Sequence, residues 1–198
     1  MMAQAAGKRT WVGGNIGEPL LTTLPQIDAG DFVVLEMSSF QLENLHSSPH
    51  IAAVLNVTPN HLDRHGTMEA YTEAKRQIVA HQRAGDVAIF GWDDAGTRAM
   101  AEAVRASSPA DVALFSGEET VERGACLEGD TIVLRRAGAS IPVCRRDDLR
   151  LRGWHNALNV IAACAIAGEA GVDVAAQRGV IAGFTGVAHR LELVREIA

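Results

Sequence analysis

The sequence has few aromatic residues and no long apolar run. Aromatic residues make up 5% of its 198 positions, and a single tyrosine is present. No apolar stretch approaches the ~20 residues that a membrane-spanning helix needs, and the first ten residues lack the apolar core of a signal peptide. We therefore predict neither a membrane span nor a secretion signal.

Cysteine and positive charge are also scarce. Cys126, Cys144 and Cys164 are widely spaced and form no CxxC motif, which is typical of reduced thiols in a cytoplasmic protein. Acidic residues outnumber basic residues 24 to 18, giving a net charge of -6. A general nucleic-acid binder needs a basic face, so we expect no nucleic-acid partner. The arginines at 145, 146, 150 and 152 are more typical of a solvated surface.

Short apolar runs alternate with helical patterns through the first half of the chain. The runs occupy residues 31–37, 50–57, 86–91 and 111–116. Helical patterns at 67–82 and 93–106 lie between them, and this alternation predicts an α/β fold with a mostly parallel sheet flanked by helices. The continuous apolar run at 31–37 predicts a strand buried on both faces.

The pattern changes after residue 120. Three short segments within 125–144 are separated by Gly-Asp and Ala-Gly turns, which predicts a small antiparallel β ribbon. Two helical segments follow, at 153–171 and 172–184. The first of them is so rich in Ala, Leu, Ile and Val that most of its surface is expected to be buried.

Polar residues follow three of the predicted strands. Glu36 ends one apolar run, Asn56 ends another, and Asn15 follows the short segment at 10–14. Ligands of open parallel sheets bind beyond the carboxyl ends of the strands. A single carboxylate at such a position is often structural, but three polar ends at one sheet edge predict a binding site.

The stretch "NVTPNHLDRHG", residues 56–66, places His61 and His65 four positions apart. A zinc site would need further nitrogen or sulfur ligands, and no cysteine is near. Asp63 and Glu36 are oxygen ligands that suit magnesium better. From the residues alone, a polar loop, a magnesium or phosphate site and a zinc site all stay open.

Lys75 interrupts an apolar stripe. On the helix predicted from about residue 67, Met68, Tyr71, Lys75 and Ile78 share one face. The lysine is either a side chain that snorkels at the edge of that face or a desolvated amine with altered reactivity.

Five segments occur in an order that resembles a known family. They are "GGNIGEPL", "VLEMSSFQLE", "LNVTPNHLDRHGTMEAYTEAK", "HNALNVIAA" and "FTGVAHRLELV". Together they resemble the central, P-loop-type ATPase domain of the Mur ligase family, and "SSFQLE" resembles the members that add D-glutamate. The resemblance implies ATP-dependent amide-bond formation in peptidoglycan synthesis through an acyl phosphate. ATP, D-glutamate and a nucleotide-sugar peptide would be the substrates, with Mg²⁺ as cofactor.

The resemblance also implies roles for individual residues. Glu36 and His61 would be magnesium ligands, and Lys75 would react with carbon dioxide to become a carbamate that helps to hold a second magnesium ion. Asn15 would lie near the γ-phosphate and the reacting carboxylate. The residues implied to bind the nucleotide sugar are Ser38 and Gln41. The residues implied to bind ATP are Asn156, Asn159, His189 and Arg190.

Several departures from the family limit these expectations. The family's Gly-rich phosphate loop should precede the "GGNIG" strand and does not occur in this sequence, nor do the flanking domains. We expect a central domain at 1–185 and a hinge leading into a further domain at 186–198. Asn60 stands where many members carry an acid, and Gly91 stands where an asparagine is common.

The missing loop leads us to expect little ATP affinity and an inactive fragment. The strand that should carry the loop is also missing, and this leads us to expect self-association or low stability, although full-length members are usually monomeric. Three alternatives are open: another Mur-type amino-acid ligase, a non-catalytic protein that keeps the fold as an interaction surface, and a zinc hydrolase.

Overall fold

The computed structural model describes residues 1–17 and 19–186, and the eight strands within them form two sheets. The strands are β1 Thr10–Gly14, β2 Phe32–Glu36, β3 Ile51–Val54, β4 Val87–Gly91, β5 Asp111–Ser116, β6 Gly124–Glu128, β7 Thr131–Arg136 and β8 Ala139–Arg145. β1 and β2 form a parallel pair of their own. The other six lie in the order β3-β4-β5-β6-β7-β8, parallel up to β6 and antiparallel from β6 to β8. The predicted α/β class and the antiparallel ribbon are confirmed.

Seven α-helices lie within the described residues. They are α1 Met2–Ala5, α2 Ser39–Leu42, α3 Leu62–His65, α4 Met68–Arg76, α5 Ala95–Ser107, α6 Trp154–Glu169 and α7 Val174–Gly183. Between β1 and β2 the chain forms two short 3-10 turns, Leu20–Thr22 after Pro19 and Leu24–Gln26. Among the described residues, no helix combines the length and apolarity needed to cross a bilayer.

In the six-stranded sheet β4 lies between β3 and β5, and its residues are all buried. Ala88 and Phe90 pack in a cluster with residues of α4 and α5 on one face of the sheet. Val87 and Ile89 pack in a second cluster with residues of α6 and α7. Burying an Ile or Phe side chain contributes about 1.5–3 kcal/mol. The sheet is therefore covered by helices on both faces, as the continuous apolar run at 86–91 predicts.

α4 is shorter than the helical pattern at 67–82 suggests. It ends at Arg76, and the chain continues in tighter turns, in which the Ile78 amide donates to the Lys75 carbonyl at 3.3 Å and the Val79 amide to the Arg76 carbonyl at 3.1 Å. Three-residue hydrogen bonds of this kind are common where an α-helix ends. The predicted boundary is wrong by several residues, but Ile78 still packs on the core.

The prediction that residues 31–37 form a strand buried on both faces is wrong. The strand exists as β2, but the solvent-exposed fractions of Val33, Val34 and Leu35 are 45%, 47% and 50%. Within the described part of the chain β2 pairs with β1 alone. A sheet of two strands provides too little neighbouring surface to cover these side chains.

The three cysteines are free thiols, and Cys126 and Cys164 are buried. Burial raises the pKa of the Cys164 thiol to about 12 and also raises the pKa of the Cys126 and Cys144 thiols. Because the thiolate is the reactive form, these side chains are poor nucleophiles at neutral pH. They behave as small core side chains.

The exposed apolar residues of β2 generate a prediction about self-association. The 198-residue chain should show an apparent mass that rises with concentration in light scattering. The reason is that β2 pairs on one edge only within the described residues and exposes two valines and a leucine, which favours edge-to-edge contact. Val34→Lys should lower the apparent mass towards that of a monomer. Ile141→Lys, on the edge strand β8 where Ile141 is 38% exposed, is the matched control and should change it less. A sharp monomer peak for the unaltered chain, with a high melting temperature, would contradict the prediction.

Candidate functional site

Parallel pairing of β1 with β2 brings two of the predicted site residues together. Gly14 lies in register with Glu36, and the backbone amide of Asn15 donates to the Glu36 carbonyl at 2.7 Å. The Asn15 side-chain nitrogen Nδ2 donates to Glu36 Oε1 at 3.2 Å. The carboxyl end of this two-stranded sheet therefore presents an exposed carboxylate oriented by an amide.

Gly14 makes this close approach possible. Its φ is +102°, and a Cβ atom at this position would lie 2.1 Å from the Glu36 carbonyl oxygen. Side chains rarely adopt this backbone conformation, and no real Cβ contact is so short. A glycine is therefore required next to Glu36.

Ser38 and Gln41 form a capping box at the start of α2. The Ser38 hydroxyl accepts from the Gln41 amide at 3.3 Å, and Gln41 Oε1 accepts from the Ser38 amide at 2.9 Å. Such reciprocal bonds satisfy amides that a helix start leaves without partners. Both residues thus have a structural role, and their role in substrate binding stays a prediction.

The two histidines of residues 56–66 have different surroundings. His61 is exposed, has a φ of +52° and lies with its ring centroid 5.2 Å from that of Phe40. The side chain of His65 is only 2% exposed, and its Nε2 lies 2.9 Å from the Ser39 hydroxyl while its Nδ1 lies 3.2 Å from Glu43 Oε1. With both ring nitrogens engaged, His65 cannot join His61 as a zinc ligand. The spacing alone gave no signal of this, because Ser39 is 26 positions away.

Lys75 lies at the edge of the core. Its Nζ is 5.1 Å from the ring centroid of Tyr71, which is buried, and Met68 and Ile78 pack on the same cluster. The interrupted stripe is therefore confirmed. Carbamate formation needs the neutral amine, and for Lys75 it stays a prediction.

The predicted nucleotide-binding asparagines lie on the first turns of α6. Asn156 Nδ2 donates to the Arg152 carbonyl at 2.7 Å, and Asn159 is exposed. The structure brings the two asparagines close in the helix, and their role in ATP binding stays a prediction. His189 and Arg190 lie outside the described residues.

Two neighbouring aspartates, which the sequence analysis passed over, organise the carboxyl ends of three strands. Asp94 Oδ1 accepts from the amide of Val57, beyond β3, and from the amide of Thr97 in α5, at 3.1 and 2.9 Å. Asp93 accepts from the Ser116 hydroxyl at the end of β5 and, at 2.8 Å, from the Gly117 amide. Together they tie β3, β4 and β5 at one edge.

The crowding at this edge explains why position 91 is a glycine, where an asparagine was expected. A Cβ atom there would lie 2.4 Å from the Leu55 carbonyl oxygen and 3.0 Å from the Phe115 ring. Any larger residue would have to move the backbone beyond β3. The departure from the family pattern therefore has a steric cause in this chain.

The donor set fits magnesium only in part. No group of three or more His, Cys, Asp and Glu side chains able to hold a metal occurs in residues 1–17 and 19–186. Glu36 and His61 supply one oxygen and one nitrogen donor. Mg²⁺ is often held by one or two carboxylates together with substrate phosphates and water, so this small set suits an ion that arrives with a nucleotide.

A shallow cleft of about 350 Å³ lies beside these elements. Glu43, Arg64 and His65 line one side, and residues of α4 line the other. None of Glu36, His61 and Lys75 is among its lining residues. The cleft therefore adjoins the predicted ligands without containing them.

A protein-family model identifies the class of this domain. The model for the Mur ligase middle domain matches residues 4–167. The chain belongs to the Mur ligase family.

Curated relatives are more specific. The UDP-N-acetylmuramoylalanine--D-glutamate ligase of Symbiobacterium thermophilum is 45% identical over 194 residues, which cover 97% of this chain and 42% of the relative. The ligase of the same name from Acetivibrio thermocellus is 42% identical over 196 residues, covering 99% of this chain and 41% of the relative. The chain thus spans about two fifths of the length of the curated relatives it matches.

Solved structures share the fold. A UDP-N-acetylmuramoyl-L-alanyl-D-glutamate--2,6-diaminopimelate ligase is 26% identical with a TM-score of 0.68, and the match covers 99% of this chain and 45% of that one. MurF from Acinetobacter baumannii has the same TM-score at 19% identity, with coverage of 98% and 45%. The arrangement of strands and helices is therefore that of Mur ligases.

The geometry at Gly14 yields a stability prediction. Gly14→Ala should lower the free energy of unfolding by about 1–3 kcal/mol, because it adds backbone strain and a clash with the Glu36 carbonyl. Denaturant titration followed by circular dichroism measures the change. Gly30→Ala is the control, since a Cβ there meets nothing within 4 Å. Equal unfolding midpoints for the two variants would show that Gly14 is not required.

Proposed function

We propose that this chain is the nucleotide-binding domain of an ATP-dependent ligase that joins D-glutamate to UDP-N-acetylmuramoyl-L-alanine. The observation that carries the proposal is the 45% identity to a ligase of that name across 97% of this chain. The Asn15–Glu36 pair at the carboxyl end of β1 and β2 supports it, because nucleotide sites of such sheets lie at that edge. The reaction would pass through an acyl phosphate, which D-glutamate attacks.

Glu36 and His61 are the proposed magnesium ligands of the domain. When bound, Mg²⁺ offsets charge on the transferring phosphoryl group. Glu36 is suited to this role because its carboxylate is exposed and one oxygen is fixed by Asn15. His61 is suited because it is exposed and its imidazole lies beside the Phe40 ring, with the ring centroids 5.2 Å apart. Asn15 holds the carboxylate and, in this proposal, also lies near the γ-phosphate.

Lys75 is proposed to work as a carbamate. Its position at the edge of the core, half-buried against Tyr71, partly shields the amine from water. Carbamate formation would replace the positive charge by a negative one on a long side chain, in reach of a second magnesium ion. Because the carbamate carries a negative charge that a cation would stabilise, we expect the modification to depend on the bound metal.

The remaining assignments concern substrates and location. We assign Ser38 and Gln41 to the nucleotide sugar, and we assign ATP to Asn156, Asn159, His189 and Arg190. The nucleotide substrates and the protonated thiols fit a cytoplasmic protein. The proposed unit is a central domain at 1–185 followed by a hinge at 186–198.

A chimaeric enzyme tests the proposal. Replacing the matching 194 residues of the Symbiobacterium thermophilum ligase by this chain should retain ATP-dependent joining of D-glutamate, measured as product by mass spectrometry. Glu36→Gln in the chimaera should lower kcat by at least about 100-fold, because the substitution removes a charged magnesium ligand.

Glu102→Gln is the matched control for this substitution. Glu102 is an exposed acid on α5, and its loss should leave kcat within about twofold, as expected for a surface site. A folded chimaera that binds ATP but joins no D-glutamate would contradict the proposed substrate. Equal effects of the two glutamine substitutions would contradict the role of Glu36.

The 198-residue chain by itself should bind Mg-ATP weakly. Phosphates are normally held by backbone amides of a Gly-rich loop and by its lysine, and this sequence contains no such motif. Isothermal titration of the purified chain with Mg-ATP should give no heat typical of micromolar affinity. Micromolar binding would show that the residues present suffice to hold the phosphates.

A further inference from the structure

Three polar side chains beside the proposed ligands, Ser39, His65 and Glu43, form a hydrogen-bonded series. His65 Nε2 lies 2.9 Å from the Ser39 hydroxyl, and His65 Nδ1 lies 3.2 Å from Glu43 Oε1. Ser39 is 5% exposed and the His65 side chain 2%, whereas the Glu43 side chain is 41% exposed. The hydrogen-bonded series thus runs from a buried hydroxyl to a carboxylate in contact with water.

The carboxylate sets the direction of the hydrogen bonding. A carboxylate only accepts, so it favours a proton on Nδ1 of His65 and leaves Nε2 to accept from the Ser39 hydroxyl. The order serine, histidine, acid is that of nucleophilic enzymes. Ser39 is nevertheless too buried to meet a substrate, and we assign the three residues no covalent chemistry.

The hydrogen-bonded series joins the two parts of the proposed site. Ser39 lies in α2, which follows β2 and Glu36, and Glu43 is the last residue of that turn. His65 ends α3, the four-residue helix for which His61 is the N-terminal capping position. The buried bond between Ser39 and His65 therefore fixes the segment that follows β2 to the segment that follows β3.

The Phe40 ring adds a second contact between the same segments. It stacks on His65 with centroids 5.1 Å apart and planes 6° apart, and it meets His61 at 5.2 Å. The Arg64 guanidinium lies over the same ring at 4.2 Å. The position of the His61 imidazole thus depends on Phe40, and Phe40 is held by His65.

His61 needs such support because its backbone is strained. A φ of +52° is unfavourable for a residue with a side chain and persists only where the surroundings enforce it. A helix of four residues has little stability of its own and cannot enforce it. The buried hydrogen bond between His65, at the other end of α3, and Ser39 provides a restraint on the His61 backbone.

We infer that His65 is a positioning residue, which through Ser39 and Phe40 holds the imidazole of His61 in place beside α2. The inference rests on the proposed function for the meaning of His61, since that residue is the proposed magnesium ligand. The positioning itself can be tested in the 198-residue chain, without turnover.

Nuclear magnetic resonance of the purified chain tests the inference. The Phe40 ring should displace the chemical shift of the His61 ring protons. Their signal is assigned by its disappearance in His61→Gln. His65→Phe keeps an aromatic ring on Phe40 but removes both nitrogens, and Ser39→Ala removes only the hydroxyl. In both variants the displacement should be lost, and the α2 amides of Leu42 and Glu43 should exchange about tenfold faster, as expected when a buried hydrogen bond is removed.

His50→Gln is the matched control, because His50 also pairs with a carboxylate, Asp86, at 2.7 Å, but at the start of β3. It should leave the His61 signal and the α2 amides unchanged. If His65→Phe unfolds the chain, Ser39→Ala decides the outcome. An unchanged His61 signal in Ser39→Ala, or the same losses in His50→Gln, would overturn the inference. A folded chimaera that joins no D-glutamate would contradict the proposed function alone.

Discussion

The pairing of β2 with a single neighbour governs the rest of the proposed site. Because β2 pairs only with β1 in the described part of the chain, its apolar residues stay half exposed and a well-packed sheet does not hold Glu36. Glu36 is held instead by local contacts, namely the close approach of Gly14 and the hydrogen bonds from Asn15. The partner half of the site, with His61, follows β3 in the other sheet. Contacts of α2 with α3 and α4 have to hold the two halves together.

Local patterns predict the well-packed half of the fold. The apolar run at 86–91 becomes β4, and the run at 111–116 becomes β5, since each is short and continuous and a clear helical pattern, α5, lies between them. Asp94 caps α5 in the manner that the acid before a helical pattern suggests. The turns between the ribbon segments are also local signals. In each case the information lies within a few residues of the element that it specifies.

The features that the sequence did not reveal depend on distant partners. A buried strand and an exposed strand have the same apolar run. What separates β4 from β2 is its second paired neighbour and the helices that cover both of its faces. The Ser39–His65 bond spans 26 positions, and no spacing rule connects a serine to a histidine across a strand and two loops. Likewise, the pair Asn15 and Glu36 could be placed at strand ends, but their contact needed the β1–β2 register.

The capping box of α2 limits what "SSFQLE" can offer to a substrate. Gln41 Oε1 already accepts from the Ser38 amide and hydroxyl, and the Ser38 hydroxyl accepts from the Gln41 amide. Breaking such a cap costs about 0.5–2 kcal/mol, which a ligand would have to offset. A ligand that leaves the cap intact meets the Gln41 side-chain nitrogen Nε2, which makes no hydrogen bond within the described residues. The motif therefore presents a donor, and it suits an acceptor such as a carbonyl, sugar or phosphate oxygen of the proposed nucleotide-sugar substrate.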